Sequence, residues 1–341
     1  MQIHVIVLRN NIPASQSFVV DGITYHVLKI PKMTRAPSLF WTDTWAIHSK
    51  LREIRPDIVH AWGTERGAAL VASRLGIPYL ATMQGIMSWY RQLIPFSMHD
   101  RFVNVFEEIA LRRARFVTTE CAFAARYLVE RYPKLTVIQA EHAPSWLFHK
   151  VERCPQTKPI RLVFVGTPGH RKGTDLLLLG LDRLVVELEF ELIIIGGGES
   201  YIGELRPRLS TELQRRVKLI PNLMPDGVAR ELASATMLVL PTRVDTSPNA
   251  VKEAVVAGVP VVASAIGGVV DYVFPGLNGF TFEAGNLEAF ISALRMAASH
   301  PTMSRGLVDA HCLAQMRQYL SPAQMSENFF NAYQRVLSKS S

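Results

Sequence analysis

Val239–Gly268 reads VLPTRVDTSPNAVKEAVVAGVPVVASAIGG, and the rest of the chain is organised around it. Val239 and Leu240 end an apolar run with the character of a buried strand, which Pro241 and Thr242 break. A polar loop continues to Thr246, and Ser247-Pro248 then supply the N-cap and first-turn signal of a helix. The helix is expected to run to about Ala257, stop at Gly258 and feed a second buried strand, Val259–Ala263. Asp245 and Glu253 stand eight positions apart, one ahead of the helix and one on its second turn. Both are acceptor-only groups beside free backbone N–H groups that favour an anion. Open α/β sheets bind ligands at such loops, beyond the carboxyl ends of the strands. Spacing alone fits equally well an ordinary βαβ unit in which Asp245 caps the loop and Glu253 is solvated.

Outward from this stretch, the 341 residues exceed the usual single-domain size, so two domains are expected. With 48% hydrophobic and 19% charged residues, the chain reads as packed and globular. Cys121, Cys154 and Cys312 are far apart and lack metal-ligand spacing, which points to a reducing compartment and no structural zinc. Ile3–Leu8 is strand-sized, with neither a basic flank nor a cleavage site, so no signal peptide is expected. The least polar window, Ala254–Val270, contains Gly258, Pro260, Gly267 and Gly268 and is no spanning helix. These features point to a cytoplasmic location. Residues 1–158 hold 20 Lys and Arg against 12 Asp and Glu, so they carry the entire net charge of +8. That asymmetry suits an acidic partner, such as an anionic membrane surface or a phosphate-bearing substrate. It is equally a scattered surface charge. Charge alone is the only argument for nucleic acid, and no nucleic-acid partner is expected.

Strand-like runs at Ile3–Leu8, Ile23–Leu28, Ile58–Ala61, Pro78–Thr82, Arg115–Thr119 and Thr136–Ile138 alternate with amphipathic stretches at Trp45–Ile54, Arg66–Leu75 and Arg101–Arg113. The rhythm predicts a parallel sheet wrapped by helices. Lys150–Pro159 interrupts it with two prolines and mixed charges, and a domain boundary is placed there. The second half repeats the rhythm with strands at Ile160–Val165, Leu192–Ile195, Val217–Ile220, Met237–Leu240 and Val259–Ala263. A helix is expected over Thr174–Leu188 and a last one over Ser326–Leu337. The expected units are residues 1–152, 158–318 and a C-terminal helix in 319–341 that crosses back onto the first. Arg101–Arg126 interleaves arginines with Phe102, Val103, Phe106 and Ile109; a core-facing helix with a solvated basic edge is favoured over one resting on a bilayer.

The loop Gly166-Thr-Pro-Gly-His-Arg171-Lys172-Gly173 follows a strand, so backbone amides, Arg171 and Lys172 can approach phosphate oxygens. It is neither a Walker A loop nor a dinucleotide fingerprint. Asp245 and Glu253 suit recognition of vicinal hydroxyls. Without Asp-x-Asp or His-x-x-x-His, no metal site is expected. His60-Ala-Trp-Gly-Thr-Glu65 and Thr82-Met-Gln84-Gly85 end strands of the first half and either face a shared cleft or cap their own helices.

With these residues assembled, the chain resembles the retaining, nucleotide-sugar-dependent glycosyltransferases of family 4 (glycosyl transferases group 1). Their GT-B fold sets two Rossmann-like α/β domains across a cleft. The likeness is strongest over about Ile160–Thr281, where PT…DTSPNAVKEAVVAGVPVVASAIGG…V.PGLNGF follows the family's Glu-x7-Glu pattern. It implies that Glu253 holds the nucleotide ribose and Asp245, shorter than the family's glutamate, the donor sugar. Lys172 matches the family's diphosphate lysine, whereas Thr167 stands where its arginine does, leaving that charge to Arg171. Gln84 stands where a histidine is common. No glycine pair follows Leu8, so the chain is expected to start late relative to the family, without its first βα unit.

The resemblance implies sugar transfer with retention from a nucleotide-diphosphate sugar to a glycan or lipid-linked acceptor, in bacterial surface-polysaccharide or lipid-linked glycan synthesis. Catalysis would fall to Lys172, Arg171 and Asp245. Donor binding would fall to Gly166, Lys172, Gly173, Asp245, Ser247, Asn249 and Glu253, and the acceptor side to Glu65 and Gln84. No cofactor or metal is implied, and the location would be cytoplasmic, peripheral on the inner face of the membrane. The alternative is a sugar-nucleotide-binding protein of the same fold with impaired catalysis.

Overall fold

The computed structural model describes residues 1–32, 35 and 37–339. Met33, Thr34 and Ala36 of the first expected domain, and Ser340 and Ser341 of the C-terminal segment, lie outside the described residues. The second half is one six-stranded sheet: β8 (Ile160–Val165), β9 (Phe190–Ile195), β10 (Val217–Ile220), β11 (Met237–Leu240), β12 (Val261–Ser264) and β13 (Gly279–Phe282). All neighbours are parallel, in the order β10-β9-β8-β11-β12-β13. Such strands are covered on both faces, which is why they read as continuous Val, Ile and Leu runs instead of alternating. Helices at Thr174–Leu184 and Leu287–Ser299 pack on one another, with Leu177, Leu181, Phe290 and Leu294 buried. β13 went unread because Gly279-Phe-Thr-Phe is short and opens on glycine.

The first half departs from the single parallel sheet that the rhythm predicts. It forms two sheets. β4 (Val59–Trp62), β5 (Tyr79–Thr82), β6 (Phe116–Thr119) and β7 (Thr136–Gln139) pair in parallel in that order. β1 (His4–Arg9) pairs in parallel with β3 (Ile23–Lys29), and β2 (Gln16–Val20) lies antiparallel on the outer edge of β3. Asp21-Gly22, both at positive φ, turn the β2–β3 hairpin, so a hairpin and not a helix follows β1. All five β2 residues are exposed, which leaves them no buried face to betray the strand.

The chain recrosses once near its end. The Ala310–Tyr319 helix packs on the Asn249–Ala257 helix of the second half. After Leu320 the Pro322–Ser338 helix, capped by Ser321, lies against β5, burying Phe329, Ala332 and Val336 with Leu80 and Phe116.

Candidate functional site

In the second sheet β8 and β11 are neighbours although β9 and β10 separate them in sequence. Strand order reverses there, and the helices that follow diverge to leave a crevice. The two loops on its rim are 166–173 and 241–248. Gly166 (φ 141°) and Gly173 (φ 70°) close the ends of the first. A Cβ at Gly173 would stand 1.8 Å from the Pro241 carbonyl oxygen, so only glycine allows the loops to touch. They are stitched together: the Arg243 N–H and the Thr242 hydroxyl donate to the Arg171 carbonyl at 2.9 and 3.2 Å. The Arg243 guanidinium grips both carboxylate oxygens of Asp175 at 2.7 Å. Burial would raise the Asp175 carboxyl, but this fork outweighs it and holds it below the usual range.

The stitching brings Lys172 Nζ to 2.5 Å from Asp245 Oδ2, both largely shielded from water. Arg171 remains exposed, its Nη1 3.4 Å from the Val244 carbonyl. The helix runs Asn249–Ala257 and ends at Gly258 in the left-handed region (φ 78°). Its N-cap is Pro248, one residue later than expected. The Ser247 hydroxyl makes no cap and lies 2.9 Å from the Tyr272 hydroxyl. Tyr272 is fully buried, and its oxygen also contacts the Glu120 carbonyl at 3.0 Å and Glu141 Oε2 at 2.7 Å. Satisfying that buried hydroxyl takes precedence over capping, and the helix end stays open toward the crevice. Asn249 and Glu253, one turn apart, share a face. Glu253 has no hydrogen bond or ion pair to any described residue, and burial, opposed by the Lys252 charge, pushes its carboxyl up to about 7.

From the first half, Glu65 and Gln84 converge over Gly63. A Cβ there would stand 3.4 and 3.5 Å from the Glu65 carboxylate oxygens and 3.7 Å from Gln84 Oε1. Behind them Glu107, fully buried, accepts from Met87 N–H at 2.8 Å and the Thr64 hydroxyl at 3.4 Å. Burial pushes its carboxyl up to about 8, with the Glu65 charge adding to the rise. Tyr90 spans the cleft: its hydroxyl lies 2.9 Å from Thr246 Oγ1 and accepts the Thr246 N–H at 3.2 Å. The same hydroxyl would stand 3.4 Å from a Cβ at Gly85. The Gln84-Gly85 loop and the Asp245-Thr246 loop thus face each other. Of the singled-out residues, Lys172 and Asp245 meet on one side and Glu65 and Gln84 on the other, while the Ser247 hydroxyl is drawn away to Tyr272.

The residues that join the halves escaped the sequence. Lys252, wholly buried, reaches Glu120 Oε2 and the His142 carbonyl, each at 3.1 Å. Asp271 accepts the Ala122 N–H at 3.2 Å, and Gly268 packs so tightly that a Cβ would stand 2.7 Å from Cys121 Cβ. In VKEAV nothing singles out Lys252; only the closing of the two halves identifies it. Among the described residues no group of His, Cys, Asp or Glu is arranged to hold a metal ion, and no helix is long and apolar enough to cross a membrane.

Comparison with known proteins meets this geometry. The family model described as glycosyl transferases group 1 matches residues 159–300, and a glycosyl transferase 4-like domain matches residues 2–139. A glycogen synthase of Mycobacterium tuberculosis is 24% identical over 262 residues, covering 74% of this chain and 63% of that protein. The chain thus spans less than two thirds of the length of the curated relatives it matches. Sucrose-phosphate synthase from Thermosynechococcus elongatus superposes with a TM-score of 0.83 at 15% identity, over 99% of this chain and 90% of that one. Anabaena HepE, solved in complex with UDP, gives 0.71 at 18% identity, over 91% and 86%. The chain belongs to the group 1 glycosyl transferases, with two parallel-sheet, Rossmann-like halves in the GT-B arrangement.

Proposed function

We propose that the protein transfers a sugar from a nucleotide-diphosphate sugar to a hydroxyl acceptor with retention of anomeric configuration. The observation that carries the reading is the meeting of Lys172 with Asp245 where the strand order reverses, next to the partnerless Glu253. The donor lies along the second half: Glu253 and Asn249 take the ribose hydroxyls, and Asp245 takes the sugar ring. The anomeric C–O bond to the diphosphate breaks, and negative charge grows on the leaving oxygen. Lys172, Arg171 and the open helix end at Ser247–Asn249, with the Gly166–Gly173 amides, stabilise that charge. The acceptor hydroxyl, oriented by Glu65 and Gln84, bonds to the anomeric carbon on the face the diphosphate leaves. Its proton passes to the departing phosphate oxygen, so the reaction is balanced without a protein base or a cofactor.

The acceptor is a glycan or lipid-linked glycan of bacterial surface-polysaccharide synthesis, met at the inner face of the membrane. The basic excess of the first half and the exposed Trp41, Trp45 and Phe102 support this setting. Incubating the protein with UDP-, GDP- and ADP-sugars and acceptors, and weighing the products, tests the reading. A mass increment of one sugar with the anomer kept is expected. Donor affinity without turnover would make the protein a binder instead.

A further inference from the structure

The Met98–Arg113 helix was expected to turn its aromatic side to the core. It does so with Phe106 and Leu111 and leaves Met98, Phe102 and Val105 in solvent. Where this helix meets the Met87–Leu93 helix lies a cavity of about 450 Å³, lined by Arg91, Arg101 and Asn104 with Ile94, Phe96 and Val105. Asn104 is only 6% exposed, and its Oδ1 is buried with no hydrogen-bond partner. A buried acceptor left unpaired calls for a donor. Arg91 and Arg101 are exposed, and neither is paired with a carboxylate of any described residue. The nearest acid in sequence, Asp100, is committed to the Ser97 cap at 2.6 and 3.0 Å. Toward the far end of the same helix Glu108 lies 3.5 Å from Arg112 and 2.6 Å from Arg131 of the Ala122–Arg131 helix. Two unpaired cations thus stand at the cavity end, beside exposed Leu93, Met98 and Phe102.

Two unpaired guanidinium groups suit a phosphodiester, the orphaned Asn104 oxygen suits a hydroxyl donor, and the apolar rim suits acyl chains. We propose that this corner binds the headgroup of an anionic phospholipid that carries hydroxyls beside its phosphate, as phosphatidylglycerol does. Free glycerol phosphate shares the polar chemistry but has nothing to cover the rim. Arg91 follows Tyr90, the residue that reaches Thr246 across the cleft, so a lipid held there brings the cleft mouth to the bilayer. That last consequence rests on the reading of the cleft as the transfer site.

Sedimentation of the full chain with vesicles tests the site. Binding to phosphatidylcholine vesicles containing phosphatidylglycerol should far exceed binding to phosphatidylcholine alone, and Arg91→Ala with Arg101→Ala should weaken it about thirtyfold. Asn104→Ala should weaken binding to phosphatidylglycerol but not to phosphatidylmethanol, which has the same charge and no hydroxyl. Free sn-glycerol 3-phosphate should not displace the protein. Equal binding to neutral vesicles, an undiminished double variant, an unaltered lipid preference in Asn104→Ala, or displacement by free glycerol phosphate would each overturn the proposal. Circular dichroism and calorimetric titration with nucleotide sugars on the same variants keep the two readings apart. Donor affinity that survives the loss of vesicle binding supports the lipid site. A wild-type chain without donor affinity sinks the transferase reading alone.

Discussion

Lys252 has no exposed surface and directs its ammonium at Glu120, 3.1 Å away on the opposite half of the molecule. Burial would raise the Glu120 carboxyl, but His142 Nδ1 at 2.8 Å and Lys252 together hold it below the usual carboxylate range. The next residue along the helix is Glu253, the carboxylate proposed to take the ribose. One helical turn therefore carries both the bolt between the halves and that carboxylate, so moving the bolt is expected to move it.

Lys252→Met should leave the buried Glu120 with His142 alone to hold it and lower stability by about 3–5 kcal/mol. Adding Glu120→Gln should recover most of the loss, because a neutral pair no longer has to be desolvated. Urea unfolding of the two variants measures this; an unmoved midpoint in the single variant would mean that the bridge contributes nothing.

Lys172→Ala removes the cation nearest the expected leaving group. Turnover should fall a hundredfold or more, about 2.7–4 kcal/mol, while the melting profile stays near wild type. Normal turnover would release Lys172 from its role.

Glu253 titrates near neutrality because burial disfavours its charge. Its folded pKa lies above the unfolded value, so its contribution to stability is full below the unfolded pKa and is lost as pH rises through about 7. Hydroxyl recognition works in the other direction, since an ionised carboxylate accepts better. Donor affinity measured by calorimetry should rise as pH passes through about 7, and Glu253→Gln should bind more weakly with a flat profile. A wild-type affinity that ignores pH in this range would separate Glu253 from the ribose.

Glu107 follows the same sign with a larger displacement: its stabilising contribution is lost as pH rises from the unfolded value through about 8. Glu107→Gln keeps an acceptor for the Met87 N–H and removes the titration. Thermal melts from acid to alkaline pH should show wild type losing ground to the variant on the alkaline side. Parallel curves would assign the slope elsewhere.

The sheet of the second half was legible because its strands are buried on both faces, and runs such as LIII and VVAS have no other home. The two loops that meet at the strand-order reversal were legible too, since Gly166, Lys172, Gly173 and Asp245 fall where strands end. What stayed hidden belongs to surfaces that sequence periodicity does not describe. β2 has no inward face, and Lys252 and Glu120 pair across 132 positions. Ser247 looks like a cap until the buried Tyr272 hydroxyl claims it. In the alternating run Glu187/Glu189/Glu191, likewise, Glu191 is held between Arg161 and Lys218, which sequence spacing does not announce.

The Pro322–Ser338 helix bears on how the molecule is born. It follows the whole second half in sequence, yet it covers Leu80 and Phe116 on the four-stranded sheet of the first. During synthesis that sheet must wait with those side chains uncovered until residues 322–338 have emerged, although domains ordinarily fold as they emerge. Losing this one helix to a late frameshift or a protease would therefore reach back and leave the first-made half unfinished, while the sheet that carries Lys172 and Glu253 kept its own core.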